Sequence, residues 1–441
     1  MRNPFCQTRN RVLLQQSPVK RTLYLGPLAL ALAHWAGTVT AAASPAPPRL
    51  PQEAYVWQRA WNEPVRGAVR AHAGSFSNLV ALAAEVSWQA GQPQVVRVPL
   101  DFALLRSLPC PVGLALRVGP YAGPFAADDP AAQRLASVAT SLTSQAATHQ
   151  LPLSELQLDF DCAASKLAGY RVWVEALRRR VAPLPLRITA LPAWLKRPEF
   201  AALARATDGY VLQVHSLARP KNFAAPFTLC DPVAARQAVT QAGQLGVPFR
   251  VALPTYGYRV AFASIGQFVG LSAEGPAQNW PADAKLREVR AEAQVLAELV
   301  QGWATHRPTA LRGLIWYRLP VPGDTLNWRW PTLAALLETR SPRESLRTAT
   351  RRIEAGLIEV TLANDGELDL SSRLVVAARW RAARLVAGDA LRSFELIGAG
   401  AAAVRFQTAS APCRLAPGER QVIGWLRFDR EVEVQVGILK E

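Results

Sequence analysis

The chain is poor in lysine. Its net charge is +17 at pH 7, yet only six of its 50 basic residues are lysines, and the arginines are scattered among alanines. Nucleic-acid-binding surfaces need basic residues clustered on one face. The sequence therefore argues against nucleic acid as a partner, despite the strong positive charge.

Cysteine is scarce and widely spaced. Only Cys110, Cys162, Cys230 and Cys413 follow the N-terminal segment, and none belongs to a Cys-x-x-Cys or Cys/His cluster. Zinc sites need such clusters, so we predict no metal and no cofactor. Cys162 and Cys230 both follow candidate strand ends, which permits one disulfide between them.

The N-terminal segment has the pattern of an export signal. Basic residues precede an apolar run at 23–35, and three alanines at 41–43 offer a cleavage site. We interpret 1–43 as a signal peptide and 44–53 as a spacer, which predicts a periplasmic or secreted protein. The alternative is an uncleaved N-terminal anchor, the only membrane contact that we expect.

From residue 54 onward, short apolar segments alternate with longer amphipathic ones. Eight strands separated by helices over about 270 residues are typical of a (β/α)₈ barrel, which we place at 54–338. No glycine-rich phosphate loop follows any early strand, which argues against a doubly wound open sheet. The predicted strands are 54–57, 95–100, 112–118, 155–161, 186–190, 210–214, 250–253 and 314–317, and the predicted helices include 131–148, 167–181, 233–245 and 285–303.

The last hundred residues have a different pattern. Ile358, Val360 and Leu362 alternate with polar residues, and the Asn-Asp-Gly sequence at 364–366 indicates a turn. We predict a small antiparallel, sandwich-like β domain at 353–441, joined to the barrel by a linker at 339–352.

The predicted strand at 155–161 carries polar side chains on one face. Successive side chains of a strand point to opposite faces, so Gln157, Asp159 and Asp161 share a face. A buried parallel strand tolerates such polar residues where they point into a site. Barrels hold their catalytic groups at the carboxyl ends of their strands, so Asp161 and Asp159 are candidate catalytic residues. The structural alternative is that they cap the next helix or bind Lys166 or Arg171.

Other predicted strand ends supply polar and aromatic side chains. Gln213 and His215 alternate at the end of one strand, and Tyr256 follows the next. Tryptophans near the same rim could stack on sugar rings, whose C–H faces are apolar, although core packing explains any one of them. The predicted substrate-binding residues are Gln157, Gln213, His215, Tyr256, Trp316, Trp57 and Trp194.

Several segments resemble one uncharacterised family. The strand at 156–161, the segments 188–194 and 210–215, and the opening Tyr-Val-Trp-Gln-Arg-Ala-Trp at 55–61 are similar to the domain-of-unknown-function 3142 family. These motifs span most of the barrel region and leave the β domain outside. The family has no established activity, so the resemblance implies a TIM barrel and no reaction.

The strand at 156–161 also resembles, more remotely, the catalytic strand of glycoside hydrolase family 18. Asp159 and Asp161 match the family's alternating acids, the proton-donor position falls on Ala163, and Trp316 resembles its substrate-floor tryptophan. The resemblance implies an exported glycoside-hydrolase-like protein that acts on an oligo- or polysaccharide, with acid/base chemistry by Asp161 and Asp159. The alternative is a non-catalytic glycan-binding or envelope-associated protein with a degenerate site.

Overall fold

The computed structural model describes residues 49–273, 279–398 and 400–439. The predicted signal peptide at 1–43 and residues 44–48 of the spacer lie outside these residues. Within the described part of the chain, no helix has both the length and the apolar character needed to cross a bilayer.

The first part of the chain alternates strands with helices. Helices α1 (Glu63–His72), α3 (Pro130–Thr148) and α6 (Pro232–Gln244) begin after Asn62, Asp129 and Asp231, whose side chains accept hydrogen bonds from the first helical turn. The strands are β1 Gln52–Val56, β2 Leu79–Gln89, β3 Gln92–Arg97, β4 Val112–Val118, β5 Leu153–Phe160, β6 Leu186–Ala190, β7 Tyr210–Gln213, β8 Phe249–Pro254, β9 Gly257–Phe262, β10 Phe268–Ser272, β11 Lys285–Arg290 and β12 Leu311–Tyr317. The helices are α1 Glu63–His72, α2 Phe102–Arg106, α3 Pro130–Thr148, α4 Leu167–Val181, α5 Pro198–Arg205, α6 Pro232–Gln244, α7 Ala293–Thr305 and α8 Trp330–Leu337.

Eight of these strands form a closed parallel barrel. They are hydrogen-bonded in the order β1-β12-β8-β7-β6-β5-β4-β2, and β1 pairs again with β2 to close the ring. Strand β3 extends the sheet antiparallel to β2, and strands β9 to β11 form a separate antiparallel sheet above the barrel. The predicted (β/α)₈ barrel is therefore confirmed.

Two predicted elements of the barrel were wrong. The second barrel strand is β2, whereas the predicted strand at 95–100 overlaps only β3 on the outside. The predicted helix at 285–303 is divided between β11 and α7. The helices predicted at 131–148, 167–181 and 233–245 match α3, α4 and α6 to within one residue at each end.

The C-terminal part forms antiparallel sheets with their own core. Its first strand begins at Leu346, inside the segment 339–352 interpreted as a linker. The predicted domain boundaries, at 338 for the barrel and 353 for the β domain, stay predictions. The strands are β13 Leu346–Glu354, β14 Leu357–Asn364, β15 Leu370–Ser372, β16 Val375–Trp380, β17 Leu385–Ala390, β18 Phe394–Ile397, β19 Ala403–Thr408, β20 Cys413–Leu415, β21 Arg420–Phe428 and β22 Val434–Leu439. One sheet has the order β13-β14-β21-β17 and another the order β18-β19-β16-β22, with apolar side chains packed between them.

The disulfide considered between Cys162 and Cys230 is not formed. Both are free, buried thiols, as are Cys110 and Cys413. Burial raises the pKa of Cys162 and of Cys230 to about 12, so both sulfurs are protonated at neutral pH.

Candidate active site

One strand brings four polar side chains into the barrel interior. Glu155, Gln157 and Asp159 point inward from β5, and Asp161 follows directly after its last residue. The intervening Leu156 and Phe160 are buried on the other face, among the apolar side chains of the core. The two-residue alternation of the sequence thus places Asp159 and Asp161 at the carboxyl end of the barrel.

The inner cavity is a hollow of about 200 Å³ at this end of the barrel. Its wall contains five tyrosine and tryptophan rings, and its polar groups are two carboxylates, one guanidinium, one imidazole, an amide and several hydroxyls. The lining residues are Tyr55, Trp57, Arg117, Asp159, Asp161, Thr189, Val211, Gln213, His215, Ser216, Ala252, Tyr256, Tyr258 and Tyr317.

Asp159 lies deep in the inner cavity, with 19% of its side chain exposed. Its Oδ1 accepts a hydrogen bond of 2.8 Å from the Thr189 hydroxyl, and its Oδ2 lies 3.9 Å from Arg117 Nε. Burial and the neighbouring Asp161 carboxylate raise its pKa to about 6, although Arg117 and Thr189 act in the opposite direction. The Asp159 carboxyl group therefore changes its charge close to neutral pH.

Asp161 lies nearer the mouth of the inner cavity and is exposed. Partial burial raises the pKa of its carboxyl group, and the Arg117 charge opposes this effect. Arg117 is itself shared, since its Nη1 lies 3.4 Å from Glu85 Oε1 and Glu85 makes a two-bond pair with Arg59. Burial of Glu85 is outweighed by these two arginines, so its pKa is lowered and it holds Arg117 beside the two aspartates.

A chain of hydroxyl groups fixes the buried histidine of the inner cavity. The Ser216 hydroxyl lies 2.5 Å from the Tyr258 hydroxyl, which lies 3.1 Å from that of Tyr256. The Tyr256 hydroxyl in turn lies 3.3 Å from His215 Nδ1. The His215 ring also stacks on Tyr317 at 5.7 Å between centroids, so its orientation is set from two sides.

His215 is expected to stay neutral across the physiological pH range. Burial lowers its pKa to about 3, so its ring resonances should not titrate above pH 5 in an NMR pH series. The unfolded chain binds this proton near pH 6.5, so His215 should lower the stability of the fold as the pH falls from 6.5 towards 3. Titration of His215 near pH 6 would contradict this prediction.

Beneath the inner cavity lies a buried network of charged side chains. The Tyr55 hydroxyl donates to Gln157 Oε1 at 2.6 Å, and Gln157 Nε2 donates to Glu155 Oε1 at 2.5 Å. Arg250 Nη2 donates to both Glu155 oxygens at 2.8 Å, and its Nη1 donates to Glu53. Gln157 thus belongs to this network below the cavity and acts by holding the Tyr55 ring in the cavity wall.

Six of the nine predicted site residues line the inner cavity, and three do not. Trp316 is fully buried, where its indole donates to Gln52 and packs on Trp328. Trp194 is buried against Tyr170, and Gln157 lies underneath the cavity. The residues in the wall are Asp159, Asp161, Gln213, His215, Tyr256 and Trp57.

Sequence analysis missed several residues of the wall. Tyr55 precedes Trp57 by two residues and so shares its face of β1, a signal that strand alternation could have supplied. Thr189 lies on the strand next to β5, and Tyr317 directly follows Trp316. No pattern of residue types in the sequence singles out Thr189.

A wider groove of about 950 Å³ adjoins the inner cavity. Three residues of the cavity wall, Trp57, Tyr258 and Tyr317, are each followed in the chain by a residue of this groove. The groove carries the Trp280 ring and polar side chains from the loops after β1 and β12 and from the small β9–β11 sheet. A ligand seated in the inner cavity could therefore extend into this groove.

No group of three or more histidine, cysteine, aspartate or glutamate side chains that could hold a metal ion occurs within 49–273, 279–398 and 400–439. Trp57 in the wall of the inner cavity has an unsatisfied donor, because its indole nitrogen is buried and has no hydrogen-bond partner in the described structure.

Most residues of the inner cavity wall belong to a segment that matches a protein-family model. Residues 123–322 match the model described as "Domain of unknown function (DUF3142)". The DUF3142 match includes β5, β6, β7 and β8 with both aspartates, and it confirms the resemblance inferred from the motifs at 156–161, 188–194 and 210–215. No curated protein matches the chain.

Solved structures similar to this chain include two chitinases and a spore cortex-lytic enzyme. The chitinase of Chromobacterium violaceum is 16% identical, covers 66% of this chain and 98% of its own, and has a TM-score of 0.44. The spore cortex-lytic enzyme SleL of Bacillus cereus is 13% identical, covers 66% of this chain and 74% of its own, and has a TM-score of 0.46. The glycoside hydrolase family 18 chitinase ChiB of Flavobacterium johnsoniae is 13% identical, covers 66% of this chain and 94% of its own, and has a TM-score of 0.45. At these identities, function has to be argued from this chain's own residues.

Proposed function

We propose that the chain is an exported glycoside-hydrolase-like enzyme that cleaves an oligo- or polysaccharide. One observation carries the proposal: Asp159 and Asp161 line the same aromatic cavity, and the Asp161 charge helps to raise the pKa of Asp159 to about 6. Two carboxyl groups with coupled protonation at a barrel mouth suit proton transfer to a leaving oxygen. Export is proposed from the N-terminal sequence pattern.

The two carboxyl groups take different roles. Asp161 lies at the mouth, where it reaches a glycosidic oxygen and acts as general acid and then base. Asp159 lies beneath it as the electrostatic partner, oriented by Thr189 and Arg117. These are the only carboxylates in the cavity wall within the described residues, so a group of the substrate makes the first attack, and water, deprotonated by Asp161, then hydrolyses the intermediate.

The aromatic wall supports a sugar as the occupant. Tyr55, Trp57, Tyr256 and Tyr317 present apolar ring surface, while Gln213 and the hydroxyls present hydrogen-bonding groups. A pyranose has apolar C–H faces and a polar edge, and so it matches both kinds of surface. The adjoining 950 Å³ groove supports a chain of several sugars in place of a single one.

The test is a screen of the purified chain against a panel of soluble oligosaccharides, with binding and reducing-end release both measured. Release should disappear in Asp161→Asn while binding persists, because the amide keeps the shape of the carboxyl group and cannot transfer its proton. Glu175→Gln, an exposed change on α4, is the matched control and should keep full release.

The Ala163 position favours one alternative, a barrel that binds glycans without cleaving them. Ala163 stands where the family 18 resemblance expects the proton donor, and it does not line the inner cavity. Binding without release by the wild type would support this alternative. If the chain neither binds nor cleaves any oligosaccharide of the panel, the sugar proposal is overturned.

A further inference from the structure

The C-terminal sheet of β13, β14, β21 and β17 has apolar side chains on its outer face. Ile353, Leu357 and Trp425 belong to neither of the large cores in the described structure. Their sequence neighbours Ile358 and Leu426 point the other way and pack in the domain core. Trp425 is partly exposed, and Ile353 is 45% exposed.

Charged side chains surround the Trp425 ring on this outer face. Residues Arg351, Glu359, Trp425 and Asp389 lie side by side on four successive strands. Glu359 forms an ion pair with Arg351 at 2.5 Å, and Arg427, two residues beyond Trp425, shares its face. The ring thus lies in a ladder of carboxylate and guanidinium groups.

The hollow beside Trp425 has the size and lining of a small-ligand site. It measures about 310 Å³ and is lined by Ile353, Leu357, Glu359, Trp425 and Arg427. A stable protein interface uses roughly 20–30 residues a side and depletes charged residues at its centre. Five residues with a glutamate and an arginine among them match a small ligand with an apolar face and hydroxyl groups.

We propose that this outer face is a second glycan-binding surface, at which a sugar ring stacks on Trp425. Glu359 accepts hydrogen bonds from the hydroxyl groups of this sugar, and Arg427 donates to them. Leu357 and Ile353 extend the apolar contact. The surface holds no part of the candidate active site, so this proposal does not depend on catalysis. Its further role rests on the proposed function: a polymer held here stays near the barrel, which raises the local concentration of cleavable bonds.

The test is co-sedimentation of the full chain with insoluble chitin, cellulose and purified peptidoglycan, each probed separately. For the polymer that the wild type binds, Trp425→Ala should weaken binding about tenfold, because the stacking surface is lost. Trp425→Phe should recover part of the binding, because a smaller ring still stacks. Val386→Ala, an exposed apolar change on the neighbouring strand β17, is the matched control and should bind like the wild type.

The outcomes separate this proposal from the proposed function. Trp425→Ala should leave release from soluble oligosaccharides unchanged, whereas Asp161→Asn should abolish release and leave sedimentation intact. Trp425-dependent binding by a chain that cleaves nothing would overturn the proposed function alone. Equal sedimentation of wild type and Trp425→Ala, or binding to none of the polymers, would overturn the second surface. A Trp425-dependent oligomer in sedimentation velocity would also overturn it, in favour of a protein contact.

Discussion

An Asp159→Asn variant is expected to lose reducing-end release by about 10²–10⁴-fold and, at pH 8, to gain about 2–3 kcal/mol in free energy of unfolding. Release falls because the partner of Asp161 no longer carries a charge. Stability rises because the wild-type carboxylate is held in a buried site that disfavours its charge.

The direction of the stability change follows from the pKa of Asp159. Its folded-state value of about 6 is above its ordinary value of 3.8. The folded protein therefore binds this proton more tightly than the unfolded chain, and stability falls as the pH rises from about 4 to about 6. Asparagine has no proton to lose and still accepts from Thr189, so the variant avoids this loss.

Denaturant unfolding at pH 8 and at pH 4 measures the effect, which should be large at pH 8 and small at pH 4. Asp129→Asn is the matched control, since this buried carboxylate caps α3 and accepts from the Trp173 indole. Its replacement should give no gain in stability. An Asp159→Asn variant that is no more stable than the wild type at pH 8 would show that burial does not disfavour the Asp159 charge.

An Arg250→Met variant is expected to lose about 3–5 kcal/mol in free energy of unfolding. Arg250 is buried and donates to both Glu53 and Glu155, two carboxylates at the base of the barrel. Methionine fills much of its volume but leaves the carboxylates without this cation. A charge left buried without its partner is among the most destabilising changes in a core.

The loss in Arg250→Met should depend on pH. Burial raises the pKa of Glu53 and Arg250 opposes this, so its removal raises that pKa further. A raised carboxyl pKa lowers the free energy of unfolding only at pH values above the pKa of that group in the unfolded chain. The loss of stability in Arg250→Met should therefore be smaller at pH 5 than at pH 8. Arg312→Met, an exposed arginine beside the same base of the barrel, should change stability by less than about 0.5 kcal/mol. Equal stability of Arg250→Met and wild type would show that the network contributes no net stabilisation.

The barrel could be predicted because most of its strands are short apolar runs between clear helical patterns. The strand β2 escaped because its sequence Leu-Val-Ala-Leu-Ala-Ala is rich in alanine, which has low strand preference, and its apolar residues are continuous. The more strand-like residues at 95–97 instead form part of β3, an outer strand with largely exposed side chains. Local preference thus indicated a strand without indicating its place in the sheet.

The candidate site was predictable where charge interrupts a buried strand. Burying a carboxylate such as Asp159 or Asp161 on an apolar strand costs free energy, so carboxylates in such a strand indicate a functional site. Aromatic residues give no such signal, because the core and the cavity both accept them. The face of a strand changes with every residue, so Tyr317 enters the cavity wall while its neighbour Trp316 packs in the core.

The closure of the barrel has a consequence for biosynthesis. Strand β1 is the first strand of the ring, and its partner β12 ends at Tyr317, so the ring joins segments more than 250 residues apart. Contacts of such long sequence separation form late and leave strand edges unpaired in the meantime. During translation, one edge of β1 therefore stays without its hydrogen-bonding partner until β12 has emerged from the ribosome. If the chain crosses a membrane unfolded, a holding chaperone would serve it best during that interval.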